Sequence, residues 1–210
     1  MQSWIKSRAA TGLKRQPGRL ERSLLILVIV AGLLMTNSGA GPSLPRLLAD
    51  DSVGDDLRAV AVEAWQRTLA VFRARSACFG DVRLHAAADL ASRGSYDPAT
   101  ATVTVRVPAT AAMLQSALIH EWAHHIEFQC AGQRALRPAF LAAQDLPAET
   151  PWRPDHDAPA TMPESAWAMI PSEQYAEAVV ELVLGRRPIP TTARVRAEAV
   201  QVIAAWAAGR

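Results

Sequence analysis

His120-Glu121-Trp122-Ala123-His124, inside the run Leu114 to Cys130, decides how the rest of the chain is read. Two histidines four apart on a helix project from one face, so both imidazoles can reach a single metal ion while Glu121 borders the water beside it. The pattern carries that meaning only on a helix. Projected at about 100° per residue from His120, His124 falls near 40° and Glu121 near 100°, while Leu118, Ile119, Trp122 and Ile126 gather between about 160° and 260°. Polar and apolar faces therefore separate. No Gly or Pro interrupts Ala111 to Gln129, and Thr110 after Pro108 is a candidate N-cap. His125 projects near 140°, off the metal face (about 100° per residue again), and reads as a hydrogen-bonded structural histidine.

Outward from this helix, the chain has 210 residues, half of them apolar, enough for one core once the N-terminus is set aside. Six of the 22 basic residues (Lys6, Arg8, Lys14, Arg15, Arg19, Arg22) fall in the first 22 positions, against one acid, Glu21. From Gly41 onward 16 Arg face 19 acids, which leaves the body near −3 and gives no footprint for nucleic acid. Residues 1–40 read as a basic region followed by a signal peptide or membrane anchor: Ser23 to Met35 is apolar, and Ser38-Gly39-Ala40 offers small residues for cleavage. Cleavage is favoured because the strongly apolar part is shorter than the ~20 residues of a span, with an anchor over residues 23–42 as the other reading. Either one places the body of the chain outside the cytoplasm, secreted or held at a membrane only by that segment. The two cysteines, Cys78 and Cys130, are then expected to form a disulfide.

Residues 41–54 read as a poorly ordered leader into a domain spanning 55–210. Leu57, Ala61, Trp65, Leu69 and Phe72 recur at helical spacing over Asp55 to Arg75, with Ser52 or Asp55 near the cap. Val82 to Ala86 and the alternating Thr102 to Val107 are expected strands, and Gly94-Ser95-Tyr96-Asp97-Pro98 a turn or loop between them. Seven prolines between Ala131 and Pro171 predict long loops with one helical turn near Pro138 to Gln144, placed to form one wall of a cleft. Ser172 to Gly185 is the second helix of interest, with Pro171 in its first turn and Gly185 ending it. A last amphipathic helix is expected from Thr191 or Thr192 to about Ala208.

Two histidines are too few for a zinc ion, since hydrolytic sites hold three protein ligands and leave one position for water. Glu173 and Glu177 share a stripe of the later helix. Glu173 is assigned as third ligand to a single Zn2+ and Glu177 as the carboxylate that accepts the free N–H of a ligating histidine. The exchange of those two roles stays open. Glu121 is the general base in such a site.

His120-Glu121-x-x-His124 combined with Glu173-x-x-Ala176-Glu177 resembles the gluzincin metallopeptidases, and the order of helix, small sheet, active helix and glutamate helix is most similar to the compact minigluzincins. Glu177 stands where that family more often has Asp. The resemblance implies an α+β, zincin-like minimal catalytic domain, with a small mixed sheet packed on a backing helix, the active helix and a glutamate-bearing helix. It implies hydrolysis of peptide bonds in a peptide or protein substrate. It also implies a strand edge that binds extended peptide, by position Thr102, Val103, Thr104 and Val105, and a transition-state stabiliser for which Tyr175 and His156 are the candidates. A non-catalytic or latent extracytoplasmic zinc-binding protein, acting as a regulator or binding module, is the other functional class.

Overall fold

The computed structural model describes residues 44–153 and 162–210, so the N-terminal basic and apolar segments and His156 lie outside the described residues. The described chain is a mixed α+β structure with six α-helices and one four-stranded sheet. In chain order the elements are β1 (Leu47–Ala49), α1 (Asp55–Val71), β2 (Val82–Ala87), β3 (Gly94–Asp97), β4 (Thr102–Arg106), α2 (Ala111–Gln129), α3 (Arg137–Ala143), α4 (Glu164–Trp167), α5 (Pro171–Leu184) and α6 (Ala197–Ala207). Short 3-10 turns cover Ser76–Cys78 and Ala131–Leu136.

The sheet order is β1-β2-β4-β3, with β1, β2 and β4 parallel and β3 antiparallel at one edge. Three expectations are corrected here. The leader is not loose throughout, because Leu47–Ala49 hydrogen-bonds to β2 as the first strand. Gly94–Asp97 is a strand rather than a turn: its Gly, Ser and Asp lack strand propensity, but ladder bonds to β4 decide its conformation. Thr102–Val105 is not an edge, since β4 pairs with β2 on one side and β3 on the other and has no free backbone row to offer a peptide. Among the described residues the outermost strand on that side of the sheet is β3.

Alternation explains the sheet's inner face: Val82, Leu84, Val103 and Val105 are fully buried. Helix α1 packs on α2 and buries Leu57, Ala61, Ala64 and Trp65, and the Trp65 ring meets Trp122 edge-on with centroids 5.0 Å apart. Burial of Trp122 on the apolar face of α2 makes its truncation to Ala cost about 3–5 kcal/mol. Helix α1 starts at Gly54 without a side-chain cap, where Ser52 or Asp55 was anticipated. Thr110 does cap α2, its hydroxyl accepting from Met113 N–H at 3.3 Å. At the other end Cys130 is the C-cap and forms a disulfide with Cys78. That cross-link is compatible with an extracytoplasmic location. Among the described residues no helix is long and apolar enough to cross a membrane.

Helix α5 begins with Pro171 at its first positions and ends on Gly185 at φ 73°, a left-handed cap that glycine adopts without strain. It packs side by side with α2, and Ala176, Val179 and Val180 are among its buried residues. The last helix, α6, starts only at Ala197; residues 191–196 precede it without helical structure.

Candidate metal centre

Side-by-side packing of α2 and α5 brings three donors together. Nε2 of His120 and Nε2 of His124 are 3.2 Å apart, and Oε2 of Glu173 lies 3.0 Å from the first and 3.4 Å from the second. Four ligands at about 2.0–2.1 Å around a tetrahedral zinc are separated by roughly 3.3 Å, so these three atoms form a triangle of the size of one tetrahedral face. Two imidazoles and a carboxylate are also the donor types that zinc takes. His120, His124 and Glu173 therefore make a group that could hold a metal ion. Burial opposes ionisation of Glu173, but hydrogen bonds and charge from His120 and His124 outweigh it and hold the carboxyl well below the usual range.

Behind the triangle, the Nδ1 side of each imidazole meets a carboxylate. His120 Nδ1 is 3.0 Å from Oε1 of Glu177, whose other oxygen forms an ion pair with Arg187. His124 Nδ1 lies 3.5 Å from Oε2 of Glu127 and 2.9 Å from Nη2 of Arg153. Glu127, with 2% of its side chain exposed, accepts from Trp152 Nε1 at 2.7 Å, from Arg153 at 2.6 and 3.1 Å and from Arg137 at 3.2 Å. Burial works against its charge, yet His124 and Arg153 keep its carboxyl below the ordinary value. Glu127, Arg137 and Arg153 did not emerge from the sequence reading. A signal existed for the first: Glu127 projects at about 340° on the helical wheel, within roughly 60° of His124.

Glu121 is buried on the same helix, 7% exposed, and points at β3. Burial pushes its carboxyl up from the usual range, against the pull of His120 and His124. Gly94 leaves the space that Glu121 fills: a Cβ there would lie 2.8 Å from both Cγ and Oε1 of Glu121. Two residues along the same face of β3, Tyr96 hydroxyl is 3.0 Å from Nδ1 of His125, one helical turn beyond Glu121. Burial lowers His125 to about 4, which leaves a neutral ring. The proline-rich segment contributes Trp152 and Arg153 beneath His124 and, through α4, the Trp167 ring stacked on His120 at 5.8 Å.

Tyr175 is not in the site. It is fully buried among Phe140 and Trp152, with ring centroids 6.0 and 5.8 Å away, and burial pushes its hydroxyl pKa up. The face of α5 that carries Glu173 and Glu177 to α2 turns Tyr175 inward, which removes it as a transition-state stabiliser. No protein-family model, curated protein or solved structure matches the chain.

Proposed function

We propose that the chain is an extracytoplasmic zinc-dependent peptidase of the gluzincin kind, built on a minimal zincin-like domain. The observation that carries this reading is the triangle of His120, His124 and Glu173 on the helix that also bears the buried Glu121.

When bound, a zinc ion supplies Lewis acidity, polarising a peptide carbonyl and making water more acidic. Everything else is done by side chains and backbone of this chain. His120, His124 and Glu173 hold the ion, and Glu177 accepts from His120 Nδ1 and so fixes which imidazole nitrogen is free to ligate. Glu121 accepts a proton from the attacking water on its carboxylate and returns it to the departing amide nitrogen. The Glu121 carboxylate, buried on α2 against Gly94, is held in one place for that double duty. An extended peptide adds along β3, the outermost strand among the described residues, where its backbone runs past Gly94 and therefore past Glu121. Trp167 over His120 and Trp152 under Glu127 keep bulk water from the back of the site.

The test is hydrolysis of an unstructured protein such as casein by the purified, zinc-supplemented chain, beside Glu121→Gln. Wild type should cleave, and the variant should keep its zinc while losing at least about 10²-fold in rate. Equal cleavage by the variant removes Glu121 from the mechanism. Zinc-loaded wild type that leaves peptide bonds intact points to the non-catalytic zinc protein.

A further inference from the structure

A histidine that binds a metal through Nε2 carries its remaining proton on Nδ1, and that proton needs an acceptor. For His120 the acceptor is Glu177. Among the described residues His124 Nδ1 has two polar neighbours, Nη2 of Arg153 at 2.9 Å and Oε2 of Glu127 at 3.5 Å, and only one of them can serve. Guanidinium has donors and no acceptor, so it cannot receive an Nδ1–H.

We infer that Glu127 is the positioning residue for His124, and that Arg153 and Trp152, from the segment after α3, together with Arg137 lock its carboxylate in place. This rests on the metal-site reading above. Both oxygens of Glu127 are engaged: Oε1 by Trp152, Arg137 and Nε of Arg153, and Oε2 by Nη2 of Arg153. Such a carboxylate cannot rotate away, and each of its donors also has a second hold on the fold. The Arg153 guanidinium lies 4.7 Å from the Phe128 ring, Arg137 lies 4.8 Å from the Trp152 ring, and Trp152 carbonyl accepts from Ser172 N–H at the start of α5. The two imidazoles thus have matching supports, His120 with Glu177 and Arg187, His124 with Glu127 and Arg153. The second support ties the proline-rich segment to the same donor triangle to which α2 and α5 contribute.

Competition titration of the full chain with Zn2+ against a chromophoric chelator tests this, together with 15N shifts of the His124 ring in the zinc-loaded protein. Glu127→Gln should weaken zinc affinity about 10–100-fold and change the His124 Nδ1 resonance while leaving that of His120 in place. If loss of the carboxylate leaves two cations that prevent folding, Glu127→Gln combined with Arg153→Met removes the second of them and should show the same loss. Wild-type affinity and an unchanged His124 spectrum in a folded variant would overturn the assignment. Wild-type protein that takes up no zinc would instead overturn the metal-site reading, and this inference with it.

Discussion

Gly94 of β3 faces the carboxylate of Glu121 so closely that no side chain fits between them: an added Cβ would sit 2.8 Å from Glu121 Cγ and Oε1. The strand and the Glu121 carboxylate are therefore fitted to each other, and the absence of a side chain at position 94 keeps Glu121 where it is.

Gly94→Ala should displace Glu121 without touching the metal donors. A shift of about 1 Å in a reacting group costs on the order of 10²-fold in rate, and that is the expected fall in kcat, with zinc content unchanged. Peptidase kinetics and metal analysis on the same preparation check it. An alanine variant with undiminished kcat would mean that Glu121 does not need its present position.

Glu173 and Glu177 are one helical turn apart on α5, but only Glu173 approaches both Nε2 atoms, whereas Glu177 sits at His120 Nδ1. Glu173→Ala should abolish stoichiometric zinc binding, and Glu177→Gln should weaken it about 10–100-fold. Equilibrium dialysis with Zn2+ distinguishes the two. The reverse order of severity would exchange their roles.

Parts of this arrangement are legible in the sequence because local physics and tertiary packing agree there. Over Ala111–Gln129 the helical period, the Thr110 cap and the uninterrupted run all favour one conformation, and Gly185 ends α5 where a left-handed cap is needed. Strand β3 was unreadable for the opposite reason. Gly94, Ser95 and Asp97 carry turn chemistry, and only pairing with β4 and the proximity of Glu121 give Gly94 its meaning. The same β3 pairing reverses the expectation for Thr102–Val105, since period-two alternation identifies a strand but says nothing of its neighbours. Arg153 had no local signal, because its partner Glu127 is 26 residues away and the intervening chain has no regular period.

Asp50, at the end of β1, accepts from Ser52 and pairs with His85 on β2, and the hydrogen bonds from Ser52 and then His85 lower it from 3.8 to about 2. A carboxyl lowered by folding stabilises the native state above its unfolded pKa and loses that contribution as pH falls through its folded one. The difference in thermal midpoint between wild type and Asp50→Asn should thus be present at pH 5 and close toward pH 2. Its size should be small because the group is exposed. A gap that widened on acidification would contradict the sign.

The Cys78–Cys130 bond spans 52 residues and joins the turn after α1 to the C-cap of α2. Closing a loop of that length contributes about 4 kcal/mol in the chain-entropy account. For a chain of this size that corresponds to roughly 8–16 °C in thermal midpoint. Cys78→Ala with Cys130→Ala, or reduction of the wild type, should produce that loss by calorimetry. The effect should also be uneven along α2. Cys130 is three residues beyond Glu127, so hydrogen exchange should accelerate first in the last turn, around Ile126 to Gln129, while Leu114 to Ile119, packed on the sheet and α1, keeps its protection. Zinc affinity should fall with the loosening of Glu127 beneath His124, and adding zinc should in turn slow exchange in that last turn. Uniform exchange along α2, or a reduced protein with the midpoint of the oxidised one, would separate the disulfide from the metal centre.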